Sequence, residues 1–208
     1  MSDFVRTYDP SHATAPEHIP ALTSPGQTGK SQVRGTAHQG VIWKEEYGAL
    51  ETTSSKLAAT RKFLSYVARL YHLKTIFTIS HLGLLVPIND PITGSIVVNG
   101  ASQTGDTLTV TPSSLTKQLL EGDIISIADY NTVFFLQEDM AATMSGGFYT
   151  DTTLKIFPLI LSGNSPVTGK AITYSGVKFR CLIDQLDMPT LDSNGWYQGL
   201  SITFKECP

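Results

Sequence analysis

The side chains with which this chain could hold a metal or move a proton are five histidines, two cysteines and eighteen carboxylates. A zinc site needs ligands spaced so that two of them turn to the same side, as in His-x-x-x-His or Cys-x-x-Cys. His12, His18, His38, His72 and His81 show no such spacing, and neither do Cys181 and Cys207. Three of the histidines fall in a Pro- and Gly-rich start, while His72 and His81 read as the exposed ends of a strand between them. The segment Gly26-Gln27-Thr28-Gly29-Lys30-Ser31 ends like a phosphate loop. That loop needs a glycine, four residues and then Gly-Lys-Ser, so that backbone amides wrap the phosphates, and Ser24 stands at the first position. Asp192-Ser193-Asn194-Gly195 begins like a calcium loop but lacks the alternating oxygen ligands and the closing Glu, so it reads as a turn. No Gly-x-Ser-x-Gly elbow occurs, and Glu138 and Asp139 are adjacent, so their carboxylates diverge. The two cysteines lie in strand-like segments and are expected as structural thiols rather than a disulfide. No catalytic, cofactor-binding or metal-binding residue is assigned, no cofactor is expected, and the chain is expected not to be an enzyme.

The elements that would position any site divide the chain into three stretches. Residues 1–40 read as an extended N-terminal arm: Pro10, Pro16, Pro20 and Pro25 stand among Gly26, Gly29, Gly35 and Gly40 with little apolar periodicity. Such a segment buries too little to order itself, so it is mobile or fixed against another chain. Residues 41–47 predict a strand with Val41, Trp43 and Tyr47 on one face and Lys44 and Glu46 on the other. A helix follows, with N-cap hydroxyls at Thr53, Ser54 and Ser55 and a stripe of Leu57, Phe63, Leu64, Val67, Leu70 and Tyr71. Lys62 and Arg69 fall opposite the stripe, on a solvated face or one that touches a neighbour.

After the break at Asn89-Asp90-Pro91 and Thr93-Gly94 the texture changes to short strands between turns, over residues 95–98, 107–111, 123–127, 132–137 and 153–157. Glu121-Gly122-Asp123, Asp129-Tyr130-Asn131 and Ser145-Gly146-Gly147 supply the turns, and the spacing is that of a small barrel or sandwich. Residues 177–184 and 197–205 then predict a hairpin. In the second strand Leu200, Ile202 and Phe204 alternate with Ser201, Thr203 and Lys205. The last 39 residues are too few for a domain and most simply complete the sheet begun near Val41. The fold class is therefore mainly β: a discontinuous sheet domain with one α-helix, formed by residues 41–92 and 170–208, interrupted at 93–169 by a small barrel or sandwich.

Composition narrows the function classes. Charged residues are 16% of the 208, against about 25% in typical soluble domains, and polarity comes instead from 25 Thr and 19 Ser. A Thr-rich, charge-poor chain of short strands suits faces that meet other protein. The net charge of −3 gives no global field for nucleic acid or anionic membrane. It is also unevenly spread: +2 over residues 1–92, −5 over 93–169 and 0 over 170–208. Small barrels often bind oligonucleotides or sugars on aromatic faces, and this one offers Tyr130, Phe134, Phe135, Phe148, Tyr149 and Phe157. Its −5 repels a phosphate backbone, which leaves sugar stacking as the barrel's possible binding chemistry. The start Met-Ser-Asp-Phe-Val-Arg lacks the order of a secretory signal, no Asn-x-Ser/Thr acceptor occurs, and no apolar run approaches the roughly 20 residues of a membrane span.

Two stretches carry a resemblance. One runs from Val97-Val98-Asn99-Gly100-Ala101-Ser102-Gln103-Thr104-Gly105-Asp106-Thr107-Leu108 through Glu121-Gly122-Asp123 to Leu154-Lys155-Ile156-Phe157-Pro158. The other runs from Val177-Lys178-Phe179-Arg180 to Asn194-Gly195-Trp196-Tyr197-Gln198-Gly199-Leu200-Ser201-Ile202-Thr203-Phe204-Lys205-Glu206. With the helix before them, they make residues 41–208 resemble the distal tail (Dit) proteins of siphophages, closest to the T-five-like type. The resemblance implies a β-sandwich with one helix, interrupted by an OB-fold domain and assembled as a homo-hexameric ring. It also implies a structural role in the virion, made in the host cytoplasm: the ring joins the tail tube protein to the tail-tip hub protein, beside other tail-tip collar proteins, and DNA passes through its centre. Neither sequence-specific nucleic acid nor membrane is an expected partner. The family has no catalytic motif, so no functional residue transfers. The alternative is a carbohydrate- or receptor-binding β-module of a tail or cell-surface protein.

Overall fold

Alternation of side chains along a strand, buried at Val41, Trp43 and Glu45 and less so between them, sets the inner face of the first sheet. A computed structural model describes residues 2–18, 23–25, 31–33, 40–53, 56–141, 144–145 and 148–207. The fold is mainly β, with one α-helix among the described residues, Leu57–His72, and a closed barrel. Contacts divide the chain into two compact units: residues 1–20, 39–79 and 180–208 form the first, and residues 21–38 and 80–179 the second.

The first unit is built on a six-stranded sheet in the order His12–Ala13, Val41–Glu46, Ser201–Glu206, Phe179–Asp187 and Phe77–Ile79, with Glu17–His18 also paired to Val41–Glu46. Ser201–Glu206 is central and antiparallel to both its neighbours, opposing Phe204 to Trp43 on one side and to Ile183 on the other. Its inner face is aromatic. Phe204 meets Trp43 at 5.3 Å between ring centroids, Phe77 at 6.0 Å and Phe4 edge-on at 5.4 Å. Each such ring contributes about 1.5–3 kcal/mol by leaving water.

The helix follows from its spacing, which puts Thr60, Phe63, Leu64, Val67 and Leu70 on one buried face. Its N-cap is Lys56 without a side-chain cap. The carbonyl of Thr53, not its hydroxyl, accepts from the Lys56 and Leu57 amides, and Ser54 and Ser55 lie outside the described residues. The helix ends where Lys74 turns left-handed, at φ 47°, and the Thr75 amide closes back on the Leu70 carbonyl.

The expected arm is not separate over residues 2–18. Phe4 is in the core, His12–Ala13 and Glu17–His18 add to the sheet, and the Tyr8 ring meets Phe63 at 5.6 Å with its hydroxyl 2.8 Å from that of Thr60. Two aromatic anchors supply the burial that the Pro and Gly pattern conceals. Further on, Thr23–Pro25 pairs antiparallel with Ser31–Val33, and most of the phosphate-loop-like segment between them, residues 26–30, lies outside the described residues.

The second unit is a closed barrel whose neighbours are all antiparallel: Val133–Leu136, Thr152–Ile160, Gly105–Ser113, Ser95–Val98, Ala171–Thr173 and Ile124–Ile127, the last returning to the first. Its core holds Leu108, Val110, Ile125, Phe134, Leu136, Leu154 and Ile156. An OB fold is five-stranded and partly open. Here a sixth strand, Ala171–Thr173, fits between Ser95–Val98 and Ile124–Ile127 and completes the ring.

That strand moves the boundaries. Residues 80–92 and 170–179, assigned by sequence to the sheet domain, lie with the barrel. Ile172 caps the barrel core, and the Asp123 carboxylate accepts the Ile88 amide at 2.7 Å and the Leu120 amide at 2.8 Å, tying the preceding loop down. Replacing residues 80–178 by a short Gly-rich linker should leave the first unit folded, because Phe77–Ile79 and Phe179–Asp187 are neighbours in its sheet. Both tryptophans, Trp43 and Trp196, lie in that unit, so a native-like emission spectrum and a cooperative urea transition by fluorescence are the expected result.

Candidate functional site

The residues screened for chemistry are dispersed and mostly occupied in structure. His12 and His18 sit in short edge strands, His72 ends the helix, and His38 lies outside the described residues. His81 corrects the expectation of an exposed strand end: it is buried, and its Nδ1 accepts the Gly83 amide at 3.2 Å at the start of a short 3-10 turn, Leu82–Leu84. Glu138 pairs with Lys155 at 3.2 Å, while Asp139 accepts the Glu121 amide at 2.8 Å, so the adjacent carboxylates serve different neighbours. Asp192 closes a turn by accepting the Asn194, Trp196 and Gln198 nitrogens, and those bonds hold its carboxyl below the usual carboxylate range. Among the described residues, no three His, Cys, Asp or Glu side chains converge as a metal site requires. No helix among them is long and apolar enough to cross a membrane.

Cys181 is buried and Cys207 half-buried, both as free thiols, and burial pushes the Cys181 thiol well up. A thiol so raised is a poor nucleophile.

The most concentrated ionisable group lies beneath the first unit's N-terminal segment, at Glu45, which is fully buried. The Arg6 guanidinium grips both its oxygens, Nε donating to Oε2 at 3.2 Å and Nη2 to Oε1, and the Tyr47 hydroxyl donates to Oε2 at 2.9 Å. Burial, and the neighbouring carboxylate, push the Tyr47 phenol far above its ordinary value. The carboxylate's strong donors are in place. This is a structural lock that seats the N-terminal segment on the sheet.

Two outward faces are less easily explained as structure. The first is the helix face opposite its buried stripe, a shallow groove lined by Arg61, Lys62, Ser65, Tyr66 and Arg69. The helix carries no acidic residue, and the Arg69 guanidinium lies 5.9 Å from the centre of the Tyr66 ring.

The second is on the barrel. In Thr152–Ile160 alternate residues face the core, which turns Phe157 and Leu159 outward, and Leu161 continues the row. These three are 38%, 45% and 46% exposed, where alternation in a water-facing wall calls for polar residues. Phe135 stands opposite Phe157 across the strand pair and is half-buried.

The six barrel aromatics therefore do not form one platform. Phe134 is in the core, Tyr130 and Tyr149 pack against its edge, and the side chain of Phe148 lies outside the described residues. Phe135 and Phe157 are left as an outer pair. The sequence reading missed the apolar row; its signal is the run Phe157-Pro158-Leu159-Ile160-Leu161, apolar at successive positions where alternation should have set in.

No protein-family model matches the chain, and a search of curated proteins returns no match either.

Proposed function

We propose that this protein is a structural component of a bacteriophage tail tip, a distal tail protein whose copies assemble into a hexameric ring joining the tail tube to the tail-tip hub. The observation that carries this reading is the outward apolar row Phe157, Leu159 and Leu161, a surface suited to burial against other protein. The low charge and the division into a sheet unit and a barrel unit support it. In this reading the chain acts by presenting surfaces and catalyses no reaction. It works in the virion, with other copies and tail proteins as its partners.

Native mass spectrometry of the purified chain at rising concentration tests the reading, with negative-stain microscopy of the same sample. A closed six-fold species is expected. Replacing Phe157 and Leu159 together by Ser should leave the barrel folded, since both side chains face outward, and remove at least one association step. A strict monomer whose mass shifts only on adding an oligosaccharide would instead favour sugar binding at the outer Phe135 and Phe157 pair.

A further inference from the structure

Within the ring reading, on which this inference rests, we infer that the basic helix face of one copy docks on the acidic outer corner of the next copy's barrel. The helix brings Arg61, Lys62 and Arg69 to one exposed side with Tyr66 between them. No acidic residue of the helix offsets them. Among the described residues no carboxylate forms an ion pair with any of the three. The Tyr66 hydroxyl accepts the Val5 amide at 3.4 Å, and Val5 itself is 61% exposed, so the cations border an apolar edge.

The complementary surface is on the second unit. Residues 80–179 carry eight carboxylates against four lysines, a net of −4. At one corner Glu121 and Asp139 are both exposed and joined through the Glu121 amide, and Ile88, 65% exposed, comes within 3.6 Å of the place a Cβ on Gly122 would occupy. Cations beside an apolar edge thus face carboxylates beside an apolar edge, two different patches carried by the same chain. A contact between unlike patches is heterologous, and such contacts close into rings when their rotation permits. Complementary charge fixes the register of the encounter and rejects the like-with-like alternatives. The barrel's acidity, which disfavours nucleic acid, thereby gains a partner in the neighbouring copy's helix.

Two variants of the full chain test the contact. R61E/K62E/R69E reverses the helix face and E121K/D139K reverses the corner; all five positions are exposed, and circular dichroism checks that both variants fold. E121K alone, which keeps the carboxylate that accepts its amide, stands in if the double variant does not fold. Each variant by itself should be at least tenfold weaker in assembly than wild type at about 0.15 M salt, where the screening length is about 8 Å. An equimolar mixture should assemble again with the two alternating, since each interface then joins opposite charges. Assembly unchanged by either reversal, or folded variants that stay apart when mixed, overturns the contact and leaves the ring reading standing. A wild-type chain that stays monomeric at every concentration overturns both. Binding of duplex DNA that the helix reversal abolishes, with assembly unaltered, assigns the face to nucleic acid and overturns the contact.

Discussion

Arg6→Ala lowers the stability of the first unit by about 3–5 kcal/mol, the usual consequence of removing one partner of a buried ion pair. Glu45 is fully buried and would keep only the Tyr47 hydroxyl as a strong donor. Urea unfolding followed by tryptophan emission reads this directly, because Trp43 and Trp196 both belong to that unit. Arg6→Lys should recover only part of the loss, since an ammonium cannot make the two-pronged contact to Oε1 and Oε2. Replacing Arg6 and Glu45 together by Met should recover most of it, because neither charge then remains in the interior. A single variant that unfolds at the wild-type midpoint would show that the N-terminal segment is not held by this pair.

Gly94→Ala should have a comparable effect on the other unit, about 3 kcal/mol. Gly94 has φ +112°, which L side chains rarely adopt, and an added Cβ would lie 2.6 Å from the Ser114 carbonyl oxygen and 2.7 Å from the Leu115 Cα. Both are backbone atoms that cannot swing aside, so left-handed strain and overpacking combine, each costing about 1–3 kcal/mol. The expected readout is faster amide exchange in peptides from the strands Ser95–Val98 and Gly105–Ser113. Tryptophan emission should stay unchanged. Loss of both signals together would mean that the units unfold as one body.

The parts of the fold that could be read from sequence are those where one local pattern suffices. Ser95–Val98 lies between clear turns and emerges with the expected ends, and the helix stripe matches its buried face at Phe63, Leu64, Val67 and Leu70. Ala171–Thr173 escaped because three residues with a single buried side chain, Ile172, show no period. Phe4 escaped because a lone aromatic in a Pro-rich stretch carries no pattern, although three other rings surround it. Glu45 lies on the apolar face of its strand, and its place there depends on Arg6, 39 residues away. His81 is similar: its burial reflects how the turn after Phe77–Ile79 is held, not its own neighbours in sequence. Both candidate surfaces were visible only in part. Lys62 and Arg69 were placed opposite the buried stripe, but an outward Phe157 or Leu159 can be told from a core residue only once the barrel gives its strand an inside.

The pairing of Val41–Glu46 with Ser201–Glu206 has a consequence for how the protein is made. The Val41 amide bonds the Glu206 carboxylate at 3.1 Å across 165 residues, so the central strand of the first sheet is synthesised long after the strand it pairs with. The barrel strands, residues 95–173, are complete well before that. On the ribosome the usual order, in which N-terminal regions fold first, is therefore reversed. The barrel can close while Phe4, Trp43 and Phe77 still wait for Phe204, and a translating chain carries those rings without that partner until its sheet is finished.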